Sequence, residues 1–459
     1  MSSIGTIPES TRNGAISGTK GAAFLRFSPG EFDAATSERG AKPREEIVGK
    51  IRTATSRARA AAPAAFTRDL TAAQSFVLLA SMIVSFLAGS SAPTPLYALY
   101  QAKWGFSPIT ITVIFGVYAL AVLGSLLTAG SLSDYVGRRP VLFVAVGLQA
   151  AVMVLFATAT SVSHLLVARV VQGLSAGAAL GALGAGMLDL DRAKGTVANS
   201  VAPMVGSATG GVVSGFMVQF LPAPTHLVYL VMLGVFVAQA IGVVRMPETC
   251  ARRPGALASL RPRFHLPSEL RGPVLLATPL LVAAWALVGF YGSLAPTLIR
   301  RLVGGNSAML GGLSLFALAA SGAVTVLVLQ SNTARAMMIA GASGLLAGNA
   351  ITLFAVGHGS PLGFFVGTMI AGAGFGAGFQ GALRSVIPLA PPHARAGVLS
   401  VLYVISYLAM GLPAVLAGIR VVHGGGVSNA AREYGAMVML LATAALVGVV
   451  VTRRQPARG

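Results

Sequence analysis

The sequence predicts an all-α membrane protein with twelve transmembrane helices in two pseudo-symmetric six-helix bundles. Three observations predict it. Of 459 residues, 55% are hydrophobic and 10% charged, and the mean hydropathy is +0.77. A soluble fold has too little interior to bury so many apolar segments, whereas a bilayer solvates them on every side. Beyond residue 70 the chain holds twelve apolar runs of about 20 residues, the length that crosses ~30 Å of hydrocarbon. The longest internal gap, 246–272, separates six runs from six.

Taken in order, residues 1–70 read as a disordered cytoplasmic tail. Residues 1–69 carry 11 Lys/Arg and 7 Asp/Glu, which cannot supply a buried core. The acid-free stretch 47–68, with Lys50, Arg52, Arg57, Arg59 and Arg68, reads as a solvated basic flank. The N-terminal bundle, 71–245, takes the spans 73–98, 109–131, 141–159, 163–188, 197–220 and 226–245. Pro93 and Pro95 break the outer turn of the first span. Residues 246–272 form a cytoplasmic linker. The C-terminal bundle, 273–452, takes 273–298, 307–330, 335–357, 361–386, 395–420 and 435–452, and 453–459 form a cytoplasmic C-terminus.

An even number of spans returns both termini to one side. With that side cytoplasmic, the tail, the inner loops and Arg453, Arg454 and Arg458 hold 27 of the 33 Lys/Arg, and the outer loops hold only Lys103, Arg300, Arg301, Arg420 and Arg432. This positive-inside asymmetry predicts a multi-pass protein of the cell (inner) membrane with both termini cytoplasmic. It also accounts for the net charge of +20 without a nucleic-acid partner. The lone Cys250 excludes an intramolecular disulfide and a Cys-rich metal site. No nucleophile, metal cluster or acid pair converges within the spans, so neither catalytic residues nor cofactors are expected.

The loop after the second span reads Gly130-Ser-Leu-Ser-Asp134-Tyr-Val-Gly137-Arg138-Arg139-Pro140. Gly137 allows a tight reversal, Pro140 suits the first turn of the next helix, and the arginines anchor the inner face. Asp134 is the odd member, since an anion at the carboxyl end of its own helix needs cations or another helix's amino end. The loop resembles the G-x-L-a-D-r-x-G-r-r signature of the major facilitator superfamily, with Tyr135 where the family often has a basic residue. The resemblance covers 73–452. It implies a transporter working by alternating access, with Asp134 bracing an inner gate against the start of the eleventh helix near Arg395. Gly137, Arg138 and Arg139 belong to that gate, and Asp189 joins it as a partner for Arg138 or Arg139.

The fourth span, Leu165-Leu-Val-Ala-Arg169-Val-Val-Gln172-Gly173-Leu-Ser-Ala-Gly177, is similar to the family's l-x-x-x-R-x-x-q-G pattern. Arg169 is the one Lys/Arg inside a span, and a cation there faces a wet cavity or snorkels to the interface. Arg169 and Gln172 are therefore assigned to the substrate cavity. Gly173, Gly177 and Gly181 form a stripe for close helix packing. A shift of 199 residues overlays Arg169, Gln172 and Gly173 on Thr368, Ala371 and Gly372, as two parallel repeats predict. Gln330-Ser-Asn-Thr-Ala-Arg335 is a worn copy of the first motif.

Exporters of the family often carry G-P-x-x-G-G in the fifth helix; here the stretch is Gly206-Ser207-Ala-Thr-Gly210-Gly211, which retains the glycines and replaces the proline. This favours a drug- or metabolite-efflux-like member, with uptake or facilitated diffusion of a small organic anion, or a non-transporting sensor of the same fold, as alternatives. Beyond the tail the acids are Asp134, Asp189, Asp191, Glu248, Glu269 and Glu433, all at helix ends or in loops, and the six histidines avoid the midplane. A proton cycle, if present, would run through Asp134 or Asp189. Trp285 and Tyr291 on the seventh span and Gln380 on the tenth complete the expected cavity. Gln149, Gln219, Gln239 and Asn349 are weaker candidates. The expected partners are a small-molecule substrate and the lipid bilayer, with the protein a monomer.

Overall fold

A computed structural model describes residues 69–262, 266–305, 307–391 and 394–452. The tail up to Arg68, His265, His393 and the C-terminal Arg453, Arg454 and Arg458 lie outside the described residues. Twelve helices are long and apolar enough to cross a membrane. They are α1 (Ala72–Trp104), α2 (Pro108–Ala129), α3 (Arg138–Ala157), α4 (Val162–Leu190), α5 (Arg192–Phe220), α6 (Pro224–Arg245), α7 (Arg271–Ser293), α8 (Ala308–Val328), α9 (Ala334–Gly357), α10 (Pro361–Val386), α11 (Arg395–His423) and α12 (Val427–Val451). No strand occurs among the described residues.

Local chemistry sets several of these ends. Thr71 and Gln74 form a capping box at the start of α1, Asp191 caps α5 by accepting from the Lys194 amide, and proline begins α2, α6 and α10. The Asp191 cap starts α5 five residues earlier than the hydropathy of the sequence suggests. Pro93 and Pro95 do not end α1. Ala92 stays in the right-handed helical region and Pro93 opens a second segment, Pro93–Trp104. α7 repeats this arrangement: Ser293 is followed by a short helix, Ala295–Val303, with Pro296 in its first turn. Pro93–Trp104 and Ala295–Val303 end at left-handed glycines, Gly105 and Gly304, 199 residues apart. That spacing is the shift relating α4 to α10, so the repeat extends through the first helix of each half.

Two apolar cores divide the molecule. One gathers residues from Leu79 to Met246, and the other gathers residues from Leu270 to Val449 with Met204. The first also takes Tyr407, Met410 and Ala414 of α11, which marks where the halves meet. Glycines allow the closest approaches. A Cβ on Gly177 of α4 would lie 2.5 Å from the Val122 carbonyl oxygen of α2, and one on Gly312 of α8 would lie 2.1 Å from that of Gly211 in α5. The first contact binds helices within a half, and the second binds the halves together.

The worn motif keeps one function of the original. Arg139, at the start of α3, donates to the Val244 carbonyl at the end of α6. Arg335, at the start of α9, donates to the Val450 and Thr452 carbonyls at the end of α12. Each arginine serves carbonyls that a helix terminus leaves without intrahelical donors.

Candidate functional site

The loop between α2 and α3 gathers the sequence-assigned gate residues into one cluster. Ser133–Val136 form a short helical turn, and Gly137 reverses the chain at φ 101°, ψ 155°. Arg138 is only 7% exposed although charged. Its guanidinium donates to Ser133 Oγ (2.7 Å), to Asp189 Oδ2 (3.3 Å) and to the Asp134 carboxylate. Asp134 thus answers to Arg138, four residues on, while Arg395 at the start of α11 donates to the Ala390 carbonyl.

Glu248 completes this cluster, although the sequence assigned it no place in the gate. Its carboxylate accepts from the backbone N–H groups of Arg138 (2.8 Å) and Arg139 (3.1 Å), capping α3 from the linker. The Thr249 and Cys250 amides donate to the same carboxylate. The positive end of α3 favours this anion. The linker also meets the loop through Arg253 N to Tyr135 O (2.8 Å) and Ser131 Oγ to Ser259 O (3.3 Å). The available signal for Glu248 was its rarity as one of six acids beyond the tail.

Arg169 and Gln172 lie together deep in the first half. Both are 0% exposed. Pro93 has no N–H, so the Gly89 carbonyl lacks its ordinary helical donor, and Gln172 Nε2 supplies one at 3.0 Å. Arg169 Nη1 donates to the Ser90 carbonyl (2.8 Å) and to Gln172 Oε1 (2.7 Å), and Nε donates to Tyr97 Oη (2.8 Å). Ser214 Oγ of α5 donates to the Ala92 carbonyl at 2.5 Å. The guanidinium carbon also sits 5.2–5.7 Å from the ring centroids of Tyr118, Tyr97 and Phe156, a favourable cation–π distance. The arrangement clamps the break in α1 to α4 and α5.

Tyr291 makes the corresponding contact in the second half. Its hydroxyl lies 2.7 Å from Thr368 Oγ1, and Thr368 occupies the position that overlays Arg169. α7 and α10 therefore repeat the tyrosine pairing of α1 and α4 without its charge. Gln149 reaches the Gln172 carbonyl (3.4 Å), Gln239 accepts from Ser85 (2.8 Å), and Asn349 donates to its own helix at Leu345 (3.1 Å).

Trp285 stands apart from these groups, where the halves meet. Its ring packs against Tyr407 of α11 (centroids 5.2 Å apart) and against Phe379 and Phe375 of α10 (5.3 and 6.4 Å). Its indole Nε1 is buried and has no hydrogen-bond partner among the described residues. Gln380 bridges the halves towards the Asp134 end by donating to Ser200 Oγ (2.8 Å). On the other side, Gln219 accepts from the Ala308 amide (3.1 Å) and Thr94 donates to the Gly292 carbonyl (3.4 Å). Hydrogen bonds thus join the halves on both sides of the Trp285 level. The sequence named Trp285 but missed Phe375, Phe379 and Tyr407; the i, i+4 spacing of the two phenylalanines on one flank of α10 was their signal.

Among the described residues, no group of three His, Cys, Asp or Glu side chains is placed to hold a metal ion. The family model of the Major Facilitator Superfamily matches residues 77–331. Crystal structures of the nucleoside transporter NupG are similar in fold. A point mutant of it superposes with a TM-score of 0.60 at 12% identity, covering 82% of this chain and 98% of that one. A second NupG structure gives 0.57 at 13% identity, covering 83% and 97%. No curated protein matches the sequence. The matched family model spans more than half of the chain, and with the twelve-helix fold it shows that the protein belongs to the Major Facilitator Superfamily of membrane transporters.

Proposed function

We propose that the protein is a secondary transporter that exports a small uncharged organic solute by alternating access, as a monomer whose two halves rock about a site between them. The observation that supports this reading is the chemistry around Trp285. The side chains packed on it are aromatic, and the cation expected in the cavity, Arg169, already serves Tyr97, Ser90 and Gln172 through its own nitrogens. An anionic solute would need a cation free to pair with it, so the organic-anion alternative loses its main support. Export draws on the retained glycines of α5, Gly206, Gly210 and Gly211. The Asp134 cluster, with Gly137, Arg138, Arg139, Asp189 and Glu248, acts as the inner gate.

The placement of the acids favours uncoupled movement over proton exchange, so that export is net flux down an outward gradient of the solute itself. Asp134, Asp189, Asp191, Glu248, Glu269 and Glu433 stand at or near helix ends, and His164, His226, His358 and His423 are exposed. In proteoliposomes we expect saturable flux of a neutral aromatic solute that persists when the pH gradient is collapsed. Flux that vanishes with the gradient would reject the uncoupled reading. Solute-dependent stabilisation without flux would favour a sensor. The orientation proposed is that of an inner-membrane protein with both termini cytoplasmic. A reporter fused after Arg454 is expected to read cytoplasmic and one at Gly304 external, and the reverse pattern would reject this orientation.

A further inference from the structure

We infer that Trp285, Phe375, Phe379 and Tyr407 form a recognition box for a flat, uncharged heteroaromatic solute carrying one hydrogen-bond acceptor. The inference rests on the transport reading above and names its substrate class. Trp285 donates only, through a single N–H. Leaving that donor buried and unpaired carries a desolvation penalty. Among its ring neighbours only Tyr407, tilted at 42°, carries an acceptor, and its hydroxyl does not pair with the indole N–H; Phe375 and Phe379 meet the indole at interplanar angles of 82° and 80°. A solute acceptor would satisfy the N–H, while the surrounding rings favour a planar partner through edge and face contacts.

The same surroundings offer an anion no counter-ion, and the unpaired indole N–H calls for an acceptor, which a cationic group does not supply. Phe375 and Phe379 cannot ionise, and Arg169 has its nitrogens engaged within the first half. The box draws on α7, α10 and α11, and Tyr407 belongs to the apolar core of the other half. All four side chains belong to the second half, so a solute here touches that half directly and bears on the first through the seam where Tyr407 packs into its core.

The chain contains two tryptophans. Trp104 stacks on Tyr100 at the end of α1, away from the box, so Trp104→Phe leaves Trp285 as the sole indole reporter. The probes are quinoline and naphthalene, which match in size and differ by one ring nitrogen. With the full chain in lipid nanodiscs, quinoline is expected to shift Trp285 emission and to bind about tenfold more tightly than naphthalene, the worth of ~1.4 kcal/mol. In Trp285→Phe, equilibrium dialysis of both probes should show that ratio fall to about one.

Equal affinities for the two probes in the Trp104→Phe protein would overturn the inference even if Trp285→Phe failed to fold. A quinoline preference that survives in a folded Trp285→Phe protein would overturn it as well. Trp285-dependent preference without flux in proteoliposomes would support the box and reject the transport reading. Flux of neutral aromatics with no quinoline preference would do the opposite.

Discussion

Arg169→Met is expected to abolish solute flux and lower the thermal midpoint while leaving membrane insertion and quinoline binding near normal. The substitution strands the Ser90 carbonyl and Gln172 Oε1, at about 1–3 kcal/mol for each buried acceptor. It also frees Gln172, which supplies the donor that Pro93 denies to Gly89. Removing a buried cation relieves a desolvation cost that works in the opposite direction, so the midpoint should fall by less than the two orphaned acceptors alone would require. Flux is the more sensitive readout, because α1 loses its clamp at its bend. Arg169→Lys keeps the charge but not the planar fork that reaches Tyr97, Ser90 and Gln172 together, and is expected to transport about tenfold more slowly than the native chain. Native flux in the Met form would reject the clamp. Parallel loss of quinoline binding and flux would instead bring Arg169 to the solute.

Gly137→Ala is expected to produce a large loss of thermal stability for the addition of a single methyl group. At φ 101° and ψ 155° the backbone occupies a region almost confined to glycine, where a side chain costs about 1–3 kcal/mol. The added Cβ would lie 2.5 Å from Glu248 Oε2, so the carboxylate must leave the amides of Arg138 and Arg139. Loss of such a cap costs roughly 0.5–2 kcal/mol more. Glu248→Ala removes the cap without the strain and is expected to lower the midpoint by less. Labelling at the Asp134 end should rise in both variants as the linker detaches from the loop. A midpoint unchanged in Gly137→Ala would show that the loop relaxes freely and that Glu248 does not hold it.

The twelve spans, the division into six and six, and the loop cluster of Asp134 and Arg138 were legible because each depends on residues close together in sequence. Asp134, Gly137 and Arg138 fall within one turn, and their cluster needs little beyond that turn to assemble. Asp189, expected from the sequence as a partner for Arg138 or Arg139, reaches Arg138 from the end of α4, whereas the role of Glu248, which reaches the Arg138 amide from the linker, appears only when the bundle closes. The prolines of α1 illustrate the same limit. Locally, Pro93 reads as a helix exit, yet Gln172, Arg169 and Ser214 supply donors to carbonyls around the break, and the helix runs on to Trp104.

By itself the sequence determined that this chain lives in a membrane and how many times it crosses, because transfer free energy accumulates residue by residue along a span. The tertiary structure alone decided which polar group answers which. Arg169 is engaged inside the first half, and the Trp285 N–H finds no acceptor among the described residues where the halves meet, because a hydrogen bond depends on a separation of about 3 Å between atoms drawn from any helix.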